Sequence, residues 1–113
     1  MAFNDLEYHA VNKEVKAFVD SIRPPEHVRK ELDMVYNIED QTIEIGALRP
    51  VWRGEPGETH FLPSVRIKYI RSLKRWKLYW MRQDLKWHLY DTTETLTEAL
   101  EVVRVDPDSC FFG

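Results

Sequence analysis

Residues 65–90 read VRIKYIRSLKRWKLYWMRQDLKWHLY, and this stretch decides the fold. Three runs within it, 65–69, 76–80 and 87–89, alternate large apolar residues with basic or polar ones. Alternation with a period of two is typical of β-strands that bury one face and expose the other. The stretch therefore predicts three consecutive antiparallel strands joined by short turns.

Two short turns bring the apolar residues of these strands onto one face. A turn at residues 72–73 predicts three cross-strand pairs: Tyr69 with Trp76, Ile67 with Leu78, and Val65 with Trp80. A turn at residues 83–84 predicts two more: Trp80 with Trp87, and Leu78 with Leu89. A slip of one residue would turn the tryptophans toward water, so the register is strongly specified.

The same register assigns a basic and aromatic set of side chains to the opposite face. Eight of them are candidate binding residues: Arg66, Lys68, Arg75, Lys77, Tyr79, Lys86, His88 and Tyr90. Residues 66–86 include eight basic residues and one acid, a local charge of +7. Because the whole chain carries −3, the remainder carries −10, and the charge is strongly segregated.

Cations mixed with aromatic rings on a sheet face are typical of proteins that hold single-stranded nucleic acid, with phosphates neutralised and bases stacked. The pattern therefore predicts a non-enzymatic binding or interaction module for an anionic partner such as single-stranded nucleic acid. The alternative is an ordinary solvated face, or a face that the acidic first helix covers. Lysines beside tryptophan strands also deter pairing between sheet edges.

The residues before this stretch predict a helix, a proline break and a hairpin. Positions 11, 15, 18 and 22 form one apolar stripe of a helix that Asn4 or Asp5 caps. Prolines at 24–25 end this helix, and a short second helix follows with Val28 and Leu32 facing inward. Residues 34–38 and 43–47 then alternate as two strands. A turn at 40–41 predicts two pairs, Ile38 with Ile43 and Tyr36 with Ile45.

The residues after the stretch predict a final helix. Thr95 and Glu98 fit a capping box, and positions 96, 100 and 103 form its inner stripe. Asp106-Pro107 ends it. The apolar pair Phe111-Phe112 that follows is stable only if it docks on the domain.

Together these elements predict an α+β fold with one or two N-terminal helices, a five-stranded antiparallel sheet and a C-terminal helix. We expect the helices to pack on the Trp80–Trp87 face, because an apolar face of this size is not stable in contact with solvent.

The 113 residues, 43% hydrophobic and 31% charged, fit one domain over 1–113. The net charge gives no global attraction to nucleic acid or membrane. The one cysteine, Cys110, and the lack of a signal sequence or apolar span predict a cytoplasmic protein without a membrane partner.

No constellation of residues predicts catalysis, a metal site or a cofactor. The four histidines have no pair at ligand spacing, the glycines form no phosphate loop, and Cys110 lies beside two phenylalanines as a packed thiol would. Two alternatives to a binding module stay open. One is a small enzyme with its site near the loop at 49–63, and the other is an oligomer-forming protein without a small ligand.

Three aromatic blocks stand out along the chain. They are Trp76-Lys-Leu-Tyr-Trp80, Asp84-Leu-Lys-Trp-His-Leu-Tyr90 and Asp106-Pro-Asp-Ser-Cys-Phe-Phe-Gly113, with Arg23-Pro-Pro25 and Arg49-Pro-Val-Trp-Arg53 before them. These residues resemble a family of small bacterial proteins known as domain of unknown function 3024. The chain departs from the family pattern at Asp40, where a turn glycine is usual, and at Ala47-Leu48, where an aromatic-acidic pair is usual. The resemblance implies a stand-alone bacterial protein and transfers no activity, cofactor or site residue.

Overall fold

Eight elements follow one another along the chain in a computed structural model that describes residues 3–29, 31–51 and 57–106. They are α1 (Asp5–Ile22), a 3-10 turn (Glu26–Val28), β1 (Asp33–Glu39), β2 (Thr42–Pro50), β3 (Thr59–Ile70), β4 (Arg75–Met81), β5 (Trp87–Thr93) and α2 (Leu96–Val105). The five strands form one antiparallel sheet in chain order, β1 to β5. The α+β prediction is confirmed. The predicted docking of Phe111-Phe112 and the packing of Cys110 lie outside the described residues.

Both helices begin and end where the sequence predicts. Asn4 caps α1 in a reciprocal capping box with Glu7, and Thr95 caps α2 by accepting from the backbone N–H of Glu98. The α1 helix stops at Ile22 just before the two prolines. The predicted second helix is only a single 3-10 turn, with Val28 partly buried. None of the helices in the described part of the chain is long and apolar enough to span a membrane.

The first two predicted strand pairings are confirmed. Ile38 lies opposite Ile43 and Tyr36 opposite Ile45, across a turn in which Asp40 takes a left-handed φ of 54°. In the β3–β4 hairpin, the three predicted pairs are present: Tyr69 with Trp76, Ile67 with Leu78, and Val65 with Trp80. Each pair places two apolar side chains on the same side of the sheet, as the period of two requires.

The predicted register of the β4–β5 hairpin is wrong by one residue. Trp87 pairs with Met81 and Leu89 with Tyr79, because the turn contains three residues and Leu85 closes it with a left-handed φ of 61°. A type I turn followed by a left-handed residue is the common three-residue hairpin connection. The shift of one residue moves Trp87 and Leu89 to the other face of the sheet. The expectation that helices cover Trp87 is therefore wrong.

Further along β5, a bulge adds a second residue to this shift and so returns alternate side chains to the helix side. Tyr79 pairs with Leu89 whereas Leu78 pairs with Asp91, so Tyr90 is the extra residue. A bulge leaves one residue unpaired and redirects the side chains beyond it. Thr93 consequently lies opposite Trp76 and is buried.

One core lies between the sheet and the two helices. Both helices and the three central strands, β2 to β4, contribute its largest fully buried side chains. These are Val15, Ile43, Ile45, Val65, Ile67, Leu78 and Val103. Trp76, Trp80 and Tyr90 are partly buried and pack against this core. Both helices therefore cover the same side of the sheet, which contains Trp80 as predicted.

We expect Leu78 and Leu89, a predicted pair that the structure separates, to differ sharply in their effect on stability. Leu78→Ala should lower the free energy of unfolding by about 2–5 kcal/mol, because the side chain is fully buried and truncation leaves a cavity. Leu89→Ala, at a side chain 54% exposed, should change it by no more than about 0.5 kcal/mol. Urea denaturation of the two variants measures this difference. Equal decreases in the free energy of unfolding would contradict the observed register and support the one predicted from the sequence.

Candidate binding face of the sheet

The side of the sheet opposite the helices, here called the open face, carries two ordered rows of side chains. One row runs Thr42, Lys68, Lys77 and Thr92 across β2 to β5, and the other runs Glu44, Arg66, Tyr79 and Leu89. Met81 and Trp87 form a third, shorter row. No helix in the described residues packs on these rows, so the alternative in which α1 covers them is wrong.

Two lysines lie on neighbouring strands at the centre of the open face. Lys68 and Lys77 are directly opposite each other on β3 and β4, where Cβ atoms are about 4.5–5.5 Å apart. Within the described part of the chain, neither side chain forms an ion pair or a hydrogen bond. Like charges in this position destabilise a sheet, and a bound anion would remove that penalty.

Next to the lysines, an arginine is stacked on a tryptophan. The Arg66 guanidinium carbon lies 4.6 Å from the centre of the Trp87 ring. The same guanidinium is 3.4 Å from a carboxylate oxygen of Glu44 on its other side. Its Nε is buried and has no hydrogen-bond partner among the described residues. Arg66, Trp87 and Tyr79 therefore present a cation and two rings on one surface.

The structure brings together four of the eight predicted site residues: Arg66, Lys68, Lys77 and Tyr79. Arg75 is the first residue of β4, and its guanidinium is 3.6 Å from a carboxylate oxygen of Glu94. Lys86 is exposed in the β4–β5 turn. Both are peripheral to the two central rows.

The predicted placement of His88 and Tyr90 on this face is wrong. His88 lies opposite Trp80 and therefore on the helix side of the sheet, and Tyr90 packs against the core. Trp87 and Leu89 take their places on the open face. The three-residue turn causes this change of face. The sequence does not reveal the turn, because its left-handed position, usually occupied by glycine or asparagine, holds Leu85.

Asp84 holds the turn that sets this arrangement. One carboxylate oxygen accepts a hydrogen bond of 3.0 Å from the backbone N–H of Lys86, and the other is 2.9 Å from Nε2 of His88. The hydrogen bond with His88, followed by that with the backbone, lowers the pKa of the Asp84 carboxyl. The carboxylate is therefore stabilised in its charged form by groups on the far side of the turn.

The loop predicted at 49–63 is shorter, because β2 reaches Pro50 and β3 begins at Thr59. Two depressions lie beside the described part of this region. One has a volume of about 550 Å³ and the other about 520 Å³, and Arg49 lines both. The second also meets Glu31 and His60. Across the described residues, no three histidine, cysteine or acidic side chains are grouped as metal ligands would be.

We expect Asp84→Asn to destabilise the protein at neutral pH and to have no effect in strong acid. The folded-state pKa is lowered, so the carboxylate adds stability that is fully present above the unfolded pKa of about 3.9. That stability is lost as the pH falls through the folded-state pKa. Melting temperatures of wild type and variant at neutral and acidic pH measure the difference. Glu39→Gln, which removes an exposed strand carboxylate, is the control; an Asp84→Asn deficit that persists in acid contradicts the role of this charge.

The comparisons with known proteins show a family but no function. The family model described as Domain of unknown function (DUF3024) matches residues 3–113. No curated protein and no solved structure matches the chain. Because the match covers nearly the whole sequence, the chain belongs to the family Domain of unknown function (DUF3024).

Proposed function

We propose that the protein is a binding module whose open face holds an anionic partner, and that single-stranded nucleic acid is the partner this face fits best. The observation that carries the proposal is the adjacent Lys68 and Lys77 beside Tyr79, two lysines that form no ion pair within the described residues. These two adjacent cations, one of which borders a depression that Glu39, Asp40 and Glu44 also line, supply a site for phosphate oxygens. The neighbouring rings supply flat surfaces for bases.

The arrangement of charge favours a single strand over a duplex. The chain as a whole carries −3, so long-range attraction to the dense charge of a duplex is absent. Glu44 also places a carboxylate at the β2 side of the open face, next to Arg66. A flexible strand can follow the β3–β5 half of the face, with phosphates at the lysines and bases on the rings.

Aromatic stacking allows this site to bind strands of different base sequence. Every base has a π-face, so a ring contributes to binding without reading hydrogen-bond edges. Tyr79 lies between Arg66 and Leu89 in its row and is partly exposed. Trp87 is partly exposed and already has the Arg66 guanidinium on one side. The face is thus suited to general rather than sequence-specific binding.

The test is a fluorescence-polarisation titration with labelled mixed-sequence DNA and RNA strands at about 50 mM salt. Lys68→Gln with Lys77→Gln should weaken binding by roughly tenfold or more, because the two phosphate contacts are lost. Lys13→Gln with Lys16→Gln is the matched control, since it removes the same charge from α1 on the other side of the sheet. For two or three phosphates, log affinity should fall against log salt with a slope of about −1.5 to −2.

Tyr79→Ala should weaken binding by about 1–3 kcal/mol if a base stacks there, whereas Tyr79→Phe should retain most of the affinity. The same titration reports both variants. Titrations that stay flat into the high micromolar range for DNA and RNA would refute the proposal. Equal losses in the open-face and α1 double variants would also refute it, because the binding would then depend only on net charge.

A further inference from the structure

On the helix side, one end of the sheet extends beyond the helices. The α1 helix stops at Ile22 before the prolines, but β2 continues to Pro50 and β3 begins at Thr59 beside it. Among the described residues, this end of the sheet forms a groove of about 550 Å³. This volume lies within the range of small-molecule sites in proteins, about 300–1,000 Å³.

The groove has apolar walls and two polar groups. Its apolar lining comes mainly from Ile22, Leu32, Met34 and Ala47, and its polar lining from Arg49 and Ser64. Within the described residues, neither the Arg49 guanidinium nor the Ser64 hydroxyl has an ion pair or hydrogen bond. An apolar groove with a few unengaged donors is typical of a site for a small ligand.

One wall of the groove is held rigidly. Arg23 donates two hydrogen bonds to the Asp33 carboxylate, at 2.9 and 2.7 Å, and so ties the segment after α1 to the start of β1. Arg29 adds a hydrogen bond of 2.9 Å to the carbonyl of Pro24. These bonds fix Pro24 at the groove before any ligand arrives, which reduces the ordering cost of binding.

The floor of the groove is shaped by a bulge between β2 and β3. Ile45 pairs with Val65 but Gly46 pairs with Pro63, so Ser64 is an extra residue. A Cβ atom at Gly46 would lie 2.2 Å from the carbonyl oxygen of Leu62, so only glycine permits this close approach. Bulges commonly redirect a side chain toward a site, and here the redirected residue lines the groove.

We propose that this groove binds a small amphipathic carboxylate, with its apolar body against Met34 and Ala47 and its carboxylate on Arg49. The guanidinium matches a carboxylate in a planar, two-bond geometry. Glu31 lines the adjacent depression together with Arg49 but does not line the groove, and the Asp33 carboxylate is held by Arg23. The site is on the opposite side of the sheet from Lys68 and Lys77, so it is independent of the proposed nucleic-acid face.

The test uses three eight-carbon probes that differ only in their head group: octanoate, octanol and octylamine. Binding is followed through the methyl NMR signals of Leu32, Met34 and Ala47 in the whole chain. Octanoate should shift these signals saturably, with an affinity about 10- to 100-fold above that of octanol, the range expected for a charge-assisted bond. Octylamine should bind no better than octanol.

Three variants locate the carboxylate and the apolar body. Arg49→Gln, at an exposed position, should reduce octanoate affinity to that of octanol and leave octanol unchanged. Ala47→Leu should fill the groove and weaken both probes. Lys68→Gln with Lys77→Gln should leave octanoate binding unaltered.

Other outcomes overturn the inference. Shifts that map to another surface, or no saturable shift at all, would show that the groove is not a ligand site. Equal affinity for octanoate and octylamine, or an octanoate affinity that survives Arg49→Gln, would show that Arg49 does not select a carboxylate. None of these results bears on nucleic-acid binding at the open face.

Discussion

On β1 to β4, away from the bulge, the side on which a strand residue lies depends on one buried row across the sheet. Ile38, Ile43, Ile67 and Leu78 lie directly opposite one another on β1 to β4. Three of these side chains are completely buried, so the row cannot move to the solvent side without losing its apolar contacts. Because side chains alternate, this row also fixes which residues face water, including Lys68 and Lys77 one position away.

The sequence was sufficient to predict the fold wherever buried residues alternate without interruption. The pairs around Ile67 and Leu78 followed from the period of two alone, and the helix ends followed from capping residues and prolines. The β4–β5 hairpin failed because its turn has three residues and its left-handed position holds Leu85. Leucine at that position carries no sequence signal, so the sequence favours the simpler two-residue turn, which places Trp87 in the core.

The candidate sites were predictable to different degrees. The central cations of the open face were found because they alternate with core residues, whereas His88 and Tyr90 were misplaced with their strand. The groove at Arg49 was not predictable in this way. It results from an early helix end, strands that continue past it, and a bulge that adds Ser64. These are relations between distant segments, which no local pattern records.

The order of the strands has a consequence for how the chain folds. Each strand pairs with the next along the sequence, so every hairpin closes only a short loop. Loop-closure entropy grows with the logarithm of loop length, and these closures are the least costly ones available to a sheet. Contact between the two helices is different, because Glu14 and Thr97 meet across 83 residues. The topology therefore favours a folding order in which neighbouring strands pair first and the contact between the two helices forms last.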